Sequence, residues 1–311
     1  MIKQPSEIIL LATMDCEPVR DEVPEQLRGI SVSGPGNRDL SERAIRGYIE
    51  SCAARDIPVT LFLHPEVAAY HTAMLLDLER NGHCLGLHLH PYKLAEAGYR
   101  LDLGAYSAQQ QGQLIGDALQ RWRRIIGHHP AYFRAGYFSA NDATYAVLEQ
   151  LGFTGGSVSI PGRVLPAHQS VWAGAVDCPH RADAVFRQTS GAARFIEVPV
   201  SVDYRRPVKR GAAGEAGFEW PYLAATGYDF RAITIDIVER FRKEGPRFPV
   251  FVMDVHNDQD FSDPQHPASR NLQTVLDTLS SEAARYDLTV RALTLETLCK
   301  LYAADERKRS S

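Results

Sequence analysis

Short apolar runs that stop abruptly at polar corners, each followed by a stretch of helical spacing, constrain this fold more than any other feature. Ile8 to Met14, Ile57 to Leu63 and Phe248 to Met253 are such runs, the pattern of strands buried on both faces of a parallel sheet. Between them lie helical stretches. Leu40 to Arg55 puts Leu40, Ala44, Ile45, Tyr48 and Ile49 on one face, and Val67 to Asn81, Ala108 to Ile126, Asn141 to Leu151, Asp229 to Glu244, Asn271 to Tyr286 and Leu293 to Tyr302 follow. Strand and helix alternate from end to end, which predicts parallel strands joined by crossover helices, an α/β barrel. The 311 residues suit one such domain over 1–311. Glycine- and proline-rich excursions are expected at about 18–38 and 201–228, and a frayed charged tail at 305–311.

A formal net charge of −4 gives no support for nucleic-acid or anionic-membrane partners. The five cysteines, at 16, 52, 84, 178 and 299, show no CxxC spacing, which reads as a reducing compartment. The run after the N-terminus is too short for a signal core, and no stretch approaches the roughly 20 apolar residues of a membrane helix. A cytoplasmic location is therefore expected.

Chemistry-bearing residues gather where the strands stop. Cys84-Leu85-Gly86-Leu87-His88-Leu89-His90-Pro91 ends in two imidazoles two residues apart, and alternate strand residues share a side. Two such imidazoles begin a zinc or related divalent-metal site, which needs a carboxylate and an open position to do chemistry. Asp15-Cys16-Glu17-Pro18 ends the first run, Arg134-Ala135-Gly136-Tyr137 follows a short strand, and Asp254-Val255-His256 ends the last strong run. In parallel barrels that rim carries the active site. Trp220 and Tyr222 stand in the second excursion, where aromatic faces could stack on a sugar ring. The basic residues Arg205, Arg206, Lys209 and Arg210 beside them suit either a solvated loop or an anion on a substrate.

Taken together these stretches resemble the polysaccharide deacetylase family, also called the NodB-homology domain or carbohydrate esterase family 4. Thr13-Met14-Asp15-Cys16-Glu17 is similar to its first motif, Gly82-His83-Cys84-Leu85-Gly86 with His88 to its second, Arg134 to Tyr137 to its third, and Val250 to His256 to its last. The resemblance covers roughly residues 8–260 and implies a distorted parallel (β/α) barrel of about seven strands. It implies a hydrolase that removes an N-acetyl group from an amino-sugar substrate with one divalent metal, most simply zinc, with cobalt or nickel as substitutes. Carried over by position, Asp15 is the general base, Arg134 its partner and His256 the general acid; Tyr137 offers a backbone amide to the oxyanion. The metal ligands are Glu17, His88 and His90.

The chain departs from the family pattern in three places. Cys16 stands where the metal carboxylate is usual, leaving Glu17 as preferred ligand and the Cys16 thiolate as the alternative. Tyr92 fills the place of the usual second histidine, so His90 takes that role and Tyr92 joins Trp220 and Tyr137 as expected substrate contacts. Gly136 replaces a proline. The family's fourth motif, an Asp and Trp pair, has no match. Two other functions stay open: hydrolysis of a cyclic amide or imide on the same fold, or a metal-free barrel that only binds sugars. The oligomeric state, a homo-oligomer included, is left open.

Overall fold

The structure, a computed structural model, describes residues 5–20, 33–94, 98–209 and 214–310. Most of the first expected excursion, and Arg210 of the basic cluster, lie outside the described residues. The elements in order are β1 (Glu7–Cys16), α1 (Arg38–Ala53), β2 (Val59–Leu63), α2 (Pro65–Tyr70), α3 (Thr72–Arg80), β3 (Cys84–Leu89), α4 (Ala108–Ile126), β4 (Tyr132–Ala135), α5 (Thr144–Gln150) and β5 (Gly155–Gly156). They continue with β6 (Val164–Leu165), β7 (Ser170–Val171), β8 (His180–Arg181), β9 (Ile196–Glu197), β10 (Asp203–Lys209), β11 (Ala216–Glu219), α6 (Phe230–Glu244), β12 (Val250–Met253), α7 (Pro267–Arg285), β13 (Thr289–Ala292) and α8 (Leu295–Ser310).

One curled sheet carries the fold, in the order β12-β1-β2-β3-β4-β5-β9-β8, all parallel except the β8–β9 pair. The long β1 also pairs with β13 along Glu7 to Leu10, below its pairing with β2 from Ala12 to Cys16. This is a distorted (β/α) barrel, and among the described residues its backbone ladder does not close. At the gap, Ser201 Oγ donates to Val250 O (3.1 Å) and accepts from Val252 N (2.9 Å), so a side chain does what a ladder would.

Alternation along β1 divides the core. Ile8, Leu10, Ala12, Met14 and Cys16 pack with the surrounding helices, while Ile9 and Leu11 join Phe62, Val198, Val250 and Val252 inside the barrel. Leu295, Leu298, Cys299 and Tyr302 of α8 fill that interior near the strand starts, and Leu295 N donates to Thr60 Oγ1 at 2.9 Å. The opposite ends of the strands are left for polar residues.

Several expectations are corrected. The single helix expected over 67–81 is two, broken at His71, whose backbone leaves the helical region (φ −117°) and whose ring contacts Ser41 Oγ at 3.1 Å. The second excursion is an ordered hairpin, β10 against β11, joined to β6 and β7. Two of its basic residues are held by acids: Arg205 pairs with Asp236 and Glu239 of α6, and Arg206 with Asp203 of β10 and Asp236 of α6. The tail expected to fray continues α8 to Ser310, with Asp305 bound by Arg309 and Arg247. No helix among the described residues is long and apolar enough to cross a membrane.

Glu197 on β9 accepts from the amides of Val158 and Ser159 (3.0 and 2.9 Å) and from the Ser159 hydroxyl (2.7 Å). Burial nevertheless pushes its carboxyl up from 4.5 to about 7. The folded chain keeps a proton there that the unfolded chain releases, so this contribution to stability is present at acid pH and is lost as pH rises from about 4.5 to about 7. Glu197→Gln is expected to flatten the stability profile over that interval in urea titrations. An unchanged slope contradicts the assignment.

Candidate active site

Four parallel strands of one sheet, β12 beside β1 and β3 beside β4 with β2 between the pairs, deliver the polar residues to one rim. β1 carries Asp15 and runs on to Glu17, β3 carries His88 and runs on to His90, β4 carries Arg134, and β12 is followed by Asp254 and His256. The same alternation that puts Ile9 and Leu11 inside the barrel sends Asp15 and Glu17 toward the rim pocket and Cys16 toward the helices. Burial, with Asp15 and Glu17 nearby, pushes the Cys16 thiol far up, so the thiolate alternative has no access to the ion position and is held neutral.

The first cluster is Glu17, His88 and His90. Glu17 Oε1 lies 2.8 Å from His90 Nε2 and 3.4 Å from His88 Nε2, all three residues buried. His88 Nδ1 contacts Arg134 O at 3.1 Å, which fixes that ring with Nε2 toward the carboxylate. The other carboxylate oxygen, Glu17 Oε2, takes the ammonium of Lys93 at 2.6 Å, and Lys93 also donates to Ser33 O and Oγ at 2.9 and 3.0 Å. Burial opposes ionisation of Glu17, but His90 and Lys93 outweigh it and hold the carboxyl well below its usual range. Burial lowers His90 to about 3, so its ring is neutral. One carboxylate and two neutral-capable imidazoles with converging atoms form the donor set zinc takes in catalytic sites.

The second cluster is built on a cation. Arg134, fully buried, places NH1 2.9 Å from Asp15 Oδ1, 2.7 Å from Asp254 Oδ1 and 3.0 Å from Thr13 Oγ1, while Nε and NH2 reach Ser157 O and Oγ. Burial and the nearby Asp15 raise Asp254 to about 6, against the pull of Arg134. Asp15, Asp254 and His256 also have the spacing of a metal triad. The guanidinium already supplies the positive charge there, so a divalent ion fits the Glu17 cluster better. His256 pairs with β1 across an isolated bridge to Asp15, and its Nδ1 lies 2.8 Å from the Tyr222 hydroxyl.

A pocket of about 370 Å³ opens over both clusters, with Asp15, Glu17, His88, His90, Asp254 and His256 at its base. Tyr137 and Phe138 form one wall and Trp220, Tyr222 and Tyr228 another, the Trp220 and Tyr222 rings stacked at 5.0 Å. Tyr137 and Phe138 both hold left-handed backbone, φ 54° and 55°, a conformation costly for bulky residues and concentrated at functional sites. Trp172, fully buried, holds that turn through Nε1 to Phe138 O at 2.8 Å and so has no face for a sugar.

The structure therefore brings Asp15, Glu17, His88, His90, Arg134, Tyr137, Trp220 and His256 together. Tyr92 is the exception: it turns away after Pro91, packs behind His90 at 5.3 Å and does not line the pocket. Asp254 and Lys93 complete the site without having been assigned from sequence, and Tyr222, expected as a sugar-stacking ring, also holds His256 Nδ1. The alternation Asp254-Val255-His256 is a signal for the first; nothing local marks Lys93.

Gly136 and His90 are coupled by packing. A Cβ at position 136 would stand 2.2 Å from the Nδ1 and Cε1 atoms of His90, so any side chain there, proline included, excludes this ring. Glycine at 136 is what leaves room for the His90 ring beside Glu17. Gly136→Ala is expected to push the ring out with the fold retained and, on the metal reading proposed below, to weaken zinc binding by about tenfold or more, read by chelator competition and circular dichroism. Wild-type affinity in the variant contradicts this packing.

The family model described as Polysaccharide deacetylase matches residues 40–156, which include His88, His90, Arg134 and Tyr137. No curated protein matches the chain in sequence. Among solved structures it is similar to a protein from Mycobacterium smegmatis assigned as a polysaccharide deacetylase, with TM-score 0.58 at 14% identity over 98% of this chain and 92% of that one. It is similar to Puue allantoinase, with TM-score 0.55 at 15% identity over 96% and 90%. It is also similar to a protein from Parabacteroides distasonis assigned as a glycoside hydrolase/deacetylase, with TM-score 0.62 at 11% identity over 97% and 72%. At such identities the likeness concerns the fold.

Proposed function

We propose that this chain, whose residues 40–156 match the polysaccharide deacetylase family model, is a member of that family and a zinc-dependent hydrolase removing the N-acetyl group of an amino-sugar-containing substrate. The observation that carries the reading is the convergence of Glu17 Oε1, His88 Nε2 and His90 Nε2 beside an Arg134-held Asp15, with His256 on the same rim. Glu17, His88 and His90 would hold the ion, and zinc bound there supplies a Lewis acid that lowers the pKa of water and polarises a carbonyl.

The chain's own residues do the rest. Asp15 takes the proton of the attacking water; Arg134 on its Oδ1 fixes the carboxylate and leaves Oδ2 facing the His88 ring at 4.0 Å. The backbone amide at Tyr137, on a turn whose strain is already in place, serves the developing oxyanion. His256 gives its proton to the departing amine. With Nδ1 taken up by Tyr222, its Nε2 is the atom left for that transfer. The stacked Trp220 and Tyr222 rings offer an apolar face to a pyranose.

Tyr222→Phe keeps the ring and removes the hydroxyl that orients His256. It is expected to lower kcat about tenfold, the worth of one hydrogen bond in the transition state, with zinc content unchanged. A variant with full kcat contradicts the role given to Tyr222.

The function is tested by incubating the purified chain with N-acetylated amino sugars, from monosaccharide to oligomer, and with a panel of cyclic amides and imides. Acetate release that is lost with chelator and restored by zinc supports the proposal. Ring opening of a cyclic amide without acetate release replaces it with the second hydrolase reading. Sugar binding without turnover or bound metal replaces it with a binding protein.

A further inference from the structure

His88 and His90 differ in one respect that matters for a metal ligand. The Nδ1 of His88 has an acceptor, Arg134 O at 3.1 Å. The Nδ1 of His90 is buried with no hydrogen-bond partner, and so is the nearest carboxylate oxygen, Asp102 Oδ1, 4.0 Å away. Two buried polar atoms that face each other and bond to nothing are costly unless another state of the site uses them.

The proton count explains the gap. With Nε2 of His90 2.8 Å from the ionised Glu17 carboxylate, the hydrogen lies on Nε2 and Nδ1 is a bare lone pair. A lone pair and a carboxylate oxygen repel, and 4.0 Å is the separation seen. When Nε2 gives its lone pair to an ion, the ring hydrogen must move to Nδ1, and the same two atoms become donor and acceptor. Closing from 4.0 Å to a hydrogen bond takes a shift of about 1 Å.

We propose that Asp102 is the outer carboxylate of the His90 ligand, engaged only when a divalent ion occupies the Glu17, His88 and His90 cluster. This rests on the metal reading of that cluster given above. Asp102 is prepared for the role. Its other oxygen, Oδ2, accepts from His168 Nδ1 at 2.8 Å, and the His168 ring stacks on Tyr137 at 3.9 Å. The carboxylate is thus anchored from outside and needs only His90 to complete its bonding. Because Tyr137 lines the substrate pocket, the same anchor ties the ion's outer shell to a pocket wall. Asp102 belongs to none of the stretches that resemble the family motifs.

The test uses the full chain, zinc as probe, and the variants Asp102→Ala and Asp102→Asn. Zinc affinity by chelator competition is expected to fall 10- to 100-fold in Asp102→Ala, and less in Asp102→Asn, whose amide oxygen still accepts. Thermal melting of the zinc-free proteins, run alongside, reports whether each variant is folded. Proton NMR supplies a reading independent of affinity: zinc should bring out a hydrogen-bonded imidazole N–H signal in the wild type that is missing in Asp102→Ala. Folded Asp102→Ala that binds zinc as tightly as wild type, or the same N–H signal in both, overturns the proposal. A wild-type chain that takes up no zinc instead overturns the metal reading itself, and this inference with it.

Discussion

Arg134→Met is expected to cost about 3 to 5 kcal/mol of folding stability, the usual penalty for removing one partner of a buried ion pair. Against a total of about 5 to 15 kcal/mol for a domain, that loss leaves the chain marginal. One guanidinium nitrogen serves both Asp15 and Asp254 in a setting with no solvent access, and its other nitrogens hold Ser157. Methionine fills much of the volume and supplies none of the charge.

The loss should depend on pH with a definite sign. Asp254 is already raised to about 6 with Arg134 present, and removing the cation raises it further. A carboxyl with a raised folded pKa is favourable when protonated, so its contribution is present at acid pH and lost as pH rises through that value. Arg134→Met should therefore lie closest to wild type near pH 5 and furthest from it near pH 8 in urea titrations. Adding Asp254→Asn to the variant should recover part of the stability at pH 8. A penalty that is the same at both pH values, or no recovery, would mean that Arg134 acts through packing.

How much of this was legible in the chain follows from physical range. The run from Ile8 to Glu17 needed only the two-residue period of a strand to predict that Asp15 and Glu17 share a side, and the period is local. The placement of His88 and His90 at a strand end followed in the same way. Lys93 could not be read so, because its partner Glu17 is 76 residues distant and no spacing encodes the pairing. The hold of Tyr222 on His256 is equally non-local. Gly136 was legible as a departure from a family pattern, whereas its reason, the His90 ring standing over it, exists only in three dimensions. The helical tail was a local misreading. Asp305 and Arg309 stand four apart, as do Glu296 and Lys300, which is the spacing of ion pairs along a helix rather than of a frayed end.

The second large effect belongs to His88. It is fully buried, its Nδ1 is fixed on Arg134 O, and its Nε2 points at Glu17. His88→Ala should leave two protein donors where three are needed to hold the ion and keep an open position. Glu17 remains paired with Lys93 in that variant, so the fold should survive while the metal and the chemistry are lost. The most direct test of the whole account is elemental analysis of the purified chain and of His88→Ala, with acetate release from an N-acetylated amino sugar measured on the same samples. One zinc per wild-type chain is expected, none in the variant, and turnover that follows the metal. A wild-type chain that turns over substrate after exhaustive chelation, or a His88→Ala chain that keeps its zinc, contradicts it.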